Sequence, residues 1–458
     1  MKNWPQEIKN FMKKKGVVLL IRGLPGTGKT IFTLTLMKDL KNSVFIAPKK
    51  VYDDIMRNYR WLDKSTKSRI LVIDEKYDHN PSDSFGNVFF LLPESFRRAL
   101  NMVERGEIDT IILDSWHTIV EELKYKTLEE RERRDIYDPQ RFFLNIIKLS
   151  DFGVNIVINK EGDEDDELSY VADGVITLRK MVDYGRVNRW LSFEKLRGVE
   201  IRRSEYAFTL KNGKVKILQT TVFKHPKSIV ESPKKDIKMG SPIPSVILDD
   251  VVNFYRGNTV LYDFEENIPK EYHLTLFMST VANFLKNGLK TIIIPPNDMD
   301  INEIKYQIYL FRLEKYLGKL KIIYPEEEME EFVKPTDFYN LKDIIESSEK
   351  VIEEGDMNPL VIIGYDRLFS FLEKSEIMQF LDYMRNFIRK RGGILIITGK
   401  ISDKTIKNFS GGVADIYIKF KNYNGDVLMY GIKPWTHAYL LSLSSRKGYP
   451  EIIKEEII

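Results

Sequence analysis

The chain contains no cysteine. Disulfides, thiol catalysis and cysteine-ligated zinc are therefore excluded. Histidine is scarce, and His79, His117, His225, His273 and His437 show no metal-ligand spacing. No uncharged run is long enough to span a bilayer. Residues 1–15 are amphipathic but lack the apolar core of a secretory signal. The expected compartment is the cytoplasm, with no membrane partner. Neither sign of charge dominates: 71 Lys and Arg stand against 67 Asp and Glu, a formal net of +4. That balance disfavours a nucleic-acid polyelectrolyte, local patches aside.

What is present is an ordinary globular composition, 43% hydrophobic and 30% charged. At 458 residues the chain is too long for one core, so two or three domains are expected. Abundant Lys, Glu and Ile without Cys fit a thermophile's composition.

One stretch organises the rest: Gly23-Leu24-Pro25-Gly26-Thr27-Gly28-Lys29-Thr30. The apolar run at residues 17–21 before it reads as a buried strand. Ile31, Leu34, Leu36 and Leu40 follow with helical spacing. Strand, glycine loop, Gly28-Lys29-Thr30 and helix are the context of a phosphate-binding P-loop. Glycines let backbone N–H groups turn inward around an anion. The next helix adds unpaired N-terminal N–H groups and the positive end of its dipole. Lys29 is placed to reach the β- and γ-phosphates of a nucleotide, and the Thr30 hydroxyl to ligate Mg²⁺. The candidate phosphate-site residues run from Gly23 through Ile31.

Strands are expected at residues 43–47, 69–73, 110–113, 154–158 and 174–178, and helices at 52–61, 93–105 and 142–149. An antiparallel pair is expected at 189–193 and 206–210. This alternation predicts an α/β fold, a mostly parallel sheet with flanking helices and the P-loop at its carboxyl edge. Two strand ends offer a carboxylate for Mg²⁺: Asp74 with Glu75, and Asp114 with Ser115. Asp114 is favoured because its surroundings recur. Val103-Glu104-Arg105-Gly106-Glu107 leads to residues 111–114, as Val351-Ile352-Glu353-Glu354-Gly355 leads to 360–363.

The recurrence extends along the chain. Leu40-Lys41-Asn42 ahead of Pro48 is echoed by Leu285-Lys286-Asn287 ahead of Pro295. Val171-Ala172-Asp173 is echoed by Val413-Ala414-Asp415. The shared order predicts two tandem domains of one fold: 1–224 with the P-loop, and 245–458. Residues 225–244, with Pro226, Pro233, Pro242 and Pro244, read as the linker. The second domain lacks the glycine loop. In its place stands Asp263-Phe264-Glu265-Glu266-Asn267-Ile268-Pro269-Lys270, whose three carboxylates are expected to repel phosphate. That domain reads as degenerate, kept for packing or partners.

Residues 1–220 resemble the RecA superfamily in its KaiC-like branch, and most of all archaeal GvpD-like P-loop proteins, a family that includes regulators of gas-vesicle genes. The P-loop, Ile111-Ile112-Leu113-Asp114-Ser115, Tyr170-Val171-Ala172-Asp173-Gly174-Val175-Ile176 and Lys195-Leu196-Arg197-Gly198 carry the resemblance. It implies ATP and Mg²⁺ as cofactors, with Lys29 and Asp114 catalytic and Thr30 and Asp114 on the metal. It also implies a homo-oligomer and a protein partner in regulation. In that branch the Lys and Arg of the last segment reach the neighbouring subunit's nucleotide; carried over, these are Lys195 and Arg197.

The family ends the strand after the P-loop helix in two glutamates that polarise the attacking water. Here that position runs to Lys49-Lys50. Losing such a base typically costs about 10²- to 10⁴-fold in rate. Glu75 and Glu161 remain as substitutes, and slow hydrolysis is expected. RecA-like recombinases line the DNA path with the loop after the sensor strand. The matching residues 161–167 read as an acidic loop that opposes strand binding. The expected function is a nucleotide-dependent switch or assembly scaffold. The alternative is a DNA-dependent ATPase of the recombinase-paralogue type.

Overall fold

The computed structural model describes residues 1, 4–73, 94–120, 147, 149–164, 167–219, 256–324, 333–335, 341–352, 358–400, 403–446 and 448–458. The Asp74-Glu75 strand end, most of the helix expected at 142–149 and the whole expected linker lie outside the described residues. The chain divides into two compact units, Met1–Gln219 with Ile457–Ile458, and Thr220–Glu456. Among the described residues no helix is long and apolar enough to cross a membrane.

The strands of the first unit are β1 (Val18–Gly23), β2 (Ser43–Pro48), β3 (Ile70–Ile73), β4 (Thr110–Leu113), β5 (Asn155–Glu161), β6 (Gly174–Asp183), β7 (Arg186–Leu196), β8 (Glu205–Thr209) and β9 (Lys216–Ile217). They lie in the order β3-β2-β4-β5-β1-β6-β7-β8-β9. The strands from β3 across to β6 pair in parallel, and those from β6 across to β9 antiparallel. Every residue of β1 is buried. Its alternate side chains serve two cores, as the pleat of a sheet covered on both faces requires. Leu19 and Ile21 pack with Phe32, Leu36 and Phe45 on one face. Val18 and Leu20 pack with Ile46, Phe96 and Leu113 on the other. Each such side chain contributes about 1.5–3 kcal/mol by leaving water, so the strand carrying the P-loop is firmly seated.

The second unit has β10 (Thr259–Phe264), β11 (Thr291–Ile294), β12 (Leu320–Tyr324), β13 (Val333–Pro335), β14 (Leu360–Gly364), β15 (Ile394–Lys400), β16 (Ile416–Tyr423), β17 (Asp426–Lys433), β18 (Ala438–Ser444) and β19 (Glu451–Ile457). Their order is β13-β12-β11-β14-β15-β10-β16-β17-β18-β19. With β10 set against β1, this is the order of the first sheet with β13 added at the edge. The echoed aspartates do the same work in both. The Asp173 carboxylate accepts from Val18 N at the start of β1, and that of Asp415 from Thr259 N at the start of β10. The two tandem domains share one RecA-like topology.

Strands run longer than the sequence suggests. β5 continues two residues past Asn159, so Glu161 belongs to the sheet and not to a loop. Gly162 bridges to Gly23, and Glu167 opens the short helix Glu167–Val171. The acidic loop is correspondingly shorter.

Candidate functional site

β1 delivers the chain to the carboxyl edge of the sheet at Gly23. A Cβ there would lie 2.3 Å from the Leu178 carbonyl oxygen and 2.9 Å from Thr27 Oγ1, so only glycine fits. The helix Lys29–Leu40 starts at Gly28, whose φ of 104° suits a residue without Cβ. The loop between them is tied down at its carbonyls. Thr27 Oγ1 donates to Leu24 O at 2.9 Å. Arg189, reaching over from β7, donates to Gly26 O at 2.9 Å and Thr27 O at 3.2 Å. The pairing of β7 beside β6 brings Arg189 to the loop from far along the chain.

Lys29 is 5% exposed, and its ammonium turns back over the loop. It donates to Gly23 O at 2.8 Å, Leu24 O at 3.2 Å and Glu161 Oε2 at 2.9 Å. Asp114 follows β4 at the same edge and is 2% exposed. Burial pushes its carboxyl above the usual range; hydrogen bonds from Asn159 and Thr30 and the charge of Lys29 oppose this, and Glu161 adds to it. Asp114 Oδ2 and Asn159 Oδ1 are buried with no hydrogen-bond partner among the described residues. Asn159 Nδ2 also donates to Thr33 Oγ1 at 2.8 Å.

These groups fit a hard divalent cation. A buried carboxylate oxygen without a donor, beside a threonine hydroxyl, is the donor set Mg²⁺ accepts when phosphates and water complete its shell. Among the described residues no group of three acidic, His or Cys side chains could hold a metal by itself.

Residues 8–194 match the family model of the GvpD gas vesicle protein, P-loop domain. The first unit is thus similar over most of its length to that P-loop domain. Over 493 aligned positions the chain is 23% identical to Protein GvpD2 of Halobacterium salinarum, covering 100% of this chain and 96% of that protein. It is 26% identical over 310 positions to Protein GvpD1 of the same organism, covering 64% of this chain and 56% of that protein. The circadian clock oscillator protein KaiC of Thermostichus vulcanus is 23% identical over 216 positions, 43% of this chain and 40% of KaiC.

In the first unit the two other predicted cation pairs take different places. Lys49 and Lys50 open the helix Lys49–Asn58 directly after β2. Because Ile46 pairs with Leu113, they share the carboxyl edge with Asp114. Lys49 Nζ lies 3.3 Å from Asp53 of its own helix. Lys195 and Arg197 lie toward the opposite edge. Lys195 pairs with Val175, which pairs with Leu20, and Arg197 follows one step beyond the Leu196–Gly174–Leu19 level. At ~3.3 Å per residue they stand about 10 and 17 Å back from Gly23 along the strands. Lys195 donates to Ser169 O and Tyr170 O. Burial, helped by the neighbouring Arg197, lowers its pKa. Arg197 pairs with Asp173 at 3.1 Å and stays 59% exposed. His117, just past Asp114, is exposed.

The second unit corrects one expectation. Repulsion by three carboxylates is not what distinguishes it. Asp263 lies inside β10, paired with Lys407 at 2.6 Å and accepting from Tyr417 at 2.6 Å. Glu265 accepts from Asn422 N at 3.0 Å, and Lys270 pairs with Glu303. The larger change is steric. Phe264 pairs with Lys400 as Gly23 pairs with Glu161. Its ring stacks on Phe420 at 4.1 Å and lies 4.3 Å from the ring of His273. A packed aromatic cluster thus stands at the register position where the first unit has its glycine cradle.

Proposed function

We propose that this P-loop protein of the GvpD and KaiC type is an ATP-binding switch or assembly scaffold that hydrolyses its nucleotide slowly. The observation that supports this most is the orphaned Asp114 oxygen beside Thr30, at the same sheet edge as Lys29 and the glycine loop. In this reading residues 23–31 hold the phosphates, Lys29 neutralises charge on the β- and γ-phosphates, and Thr30 and Asp114 hold Mg²⁺. The metal, when bound, offsets charge on the transferred phosphoryl group. Arg189 keeps the loop in shape, and Asp114 with Asn159 orients water at its edge. Slow turnover rests on Lys49 and Lys50, which stand where the resembled family places its two water-polarising glutamates.

Lys195 and Arg197 act on the nucleotide of a neighbouring copy, since their own P-loop lies at the other edge. The working form is therefore a homo-oligomer in the cytoplasm whose nucleotide state is read by a protein partner. Residues 1–224 are the ATP domain, and 245–458 the degenerate copy.

The test is ATP turnover and native mass, each measured with and without ATP and DNA. Expected are turnover below roughly 1 s⁻¹, a larger assembly with ATP, and indifference to DNA. DNA-stimulated turnover that falls steeply with salt would replace this reading with the DNA-dependent ATPase.

A further inference from the structure

Glu161 is the one carboxylate seated on the P-loop lysine among the described residues. Its Oε2 stands 2.9 Å from Lys29 Nζ, the distance of a charge-assisted hydrogen bond. Lys29 is 5% exposed while Glu161 is 39% exposed, so the lysine is fixed and the carboxylate sits on the solvent side of it. Glu161 is the last residue of β5 and pairs with Gly23, the first residue of the cradle. The following residue, Gly162, accepts from Gly23 N at 2.9 Å. The carboxylate therefore takes the place on Lys29 that a terminal phosphate oxygen would take.

We infer that Glu161 is a specificity-determining residue that stands in for the γ-phosphate. The inference rests on the ATP reading of this site. ATP brings a γ-phosphate that competes with Glu161 for Lys29 and repels its charge. The carboxylate must leave for ATP to be held fully. ADP brings only its β-phosphate to Lys29 and no γ-phosphate, so it contests the Glu161–Lys29 pair far less. The chain thus distinguishes the two nucleotides by whether Glu161 stays. Eight and nine residues on in sequence, the Ser169 and Tyr170 carbonyls accept from Lys195.

The experiment compares dissociation constants for ATP and ADP, each with Mg²⁺, in the full chain and in Glu161→Gln and Glu164→Gln. Glu164 is an exposed carboxylate in the same segment and serves as the charge control. Glu161→Gln is expected to tighten ATP about tenfold, within the ~5- to 150-fold range typical of coupled sites, and ADP by much less. Glu164→Gln should leave the ratio of the two constants unchanged. Hydrogen exchange of residues 167–171 should differ between ATP and ADP in the native chain and converge in Glu161→Gln. An unchanged ATP-to-ADP ratio in Glu161→Gln would overturn the inference, and so would lost turnover at unchanged ratio, which would make Glu161 a base. If neither the native chain nor Glu161→Gln binds any nucleotide, the ATP reading itself is what fails.

Discussion

Glu161 and Lys400 occupy the same place in two copies of one sheet. Each is the last residue of its strand, Glu161 paired with Gly23 and Lys400 with Phe264. The charge is reversed between them, and the partner changes with it. Glu161 holds Lys29, whereas Lys400 Nζ lies 3.5 Å from Asp298. In the second copy a stacked ring stands at the register position of the first copy's cradle.

This relationship predicts one ATP per chain. Titration calorimetry on the full chain should give a stoichiometry near one, and Lys29→Ala should weaken all of it by on the order of 10- to 100-fold, the worth of charged hydrogen bonds lost at ~1.5–3 kcal/mol. A residual tight site in Lys29→Ala would mean that the second unit binds nucleotide after all. Phe264→Ala should cost about 3–5 kcal/mol of stability, since the ring is 1% exposed, without creating a second site.

Lys195 and Arg197 should complement across chains. Either alanine variant should leave ATP affinity within about twofold while cutting turnover at least tenfold, a conservative share of the ~10³-fold or more that trans cations supply. Mixing Lys29→Ala with Arg197→Ala should recover part of the rate, because one intact site can form from two defective chains. The loss of the Arg197–Asp173 pair itself should matter little, as surface pairs are worth about 0–1 kcal/mol. No recovery on mixing would place these cations in a structural role.

Asp114 sets stability against function. Burial raises its carboxyl pKa in the folded chain. Between the ordinary carboxylate value and the raised one, the folded chain binds the proton more tightly than the unfolded chain does. Stability from this group therefore falls as pH rises through that window, and the full cost is present above the raised pKa. Without nucleotide or metal, Asp114→Asn should melt higher than the native chain at pH 7, by about 1 kcal/mol, and the gap should close as pH falls toward 4. The same variant should lose the Mg²⁺ dependence of ATP binding. A lower melting temperature at pH 7 would show that the carboxylate is satisfied as an anion.

Lys49→Glu with Lys50→Glu should raise ATP turnover. The two residues form the first turn of a helix, where carboxylates are favoured over ammonium groups by roughly 0.3–1 kcal/mol each, so the double variant should fold. The loss of the exposed Lys49–Asp53 pair at 3.3 Å and of the Lys49 ammonium 5.7 Å from the Tyr52 ring centre opposes it. Loss of ATP affinity without gain in rate would make the lysines phosphate ligands.

The sequence by itself determined the parts whose meaning is local. The glycine loop between an apolar run and a helical pattern is legible because P-loop chemistry needs its residues within one short segment. The alternation of strands and helices determined the fold class, and the recurrence of Val-Ala-Asp determined the duplication; Asp173 and Asp415 then proved to anchor the first strands of the two sheets. Tertiary structure alone decided the rest. Arg189 lies 162 and 163 residues from the carbonyls it holds, and Glu161 lies 132 from Lys29. No local pattern encodes which strand ends meet, because strand order is set by crossover connections that bury both faces of the sheet. The same limit misled the reading of Asp263. Counted among three carboxylates standing where phosphate would sit, it lies inside β10 and is met by Lys407 from a helix more than a hundred residues away in the chain.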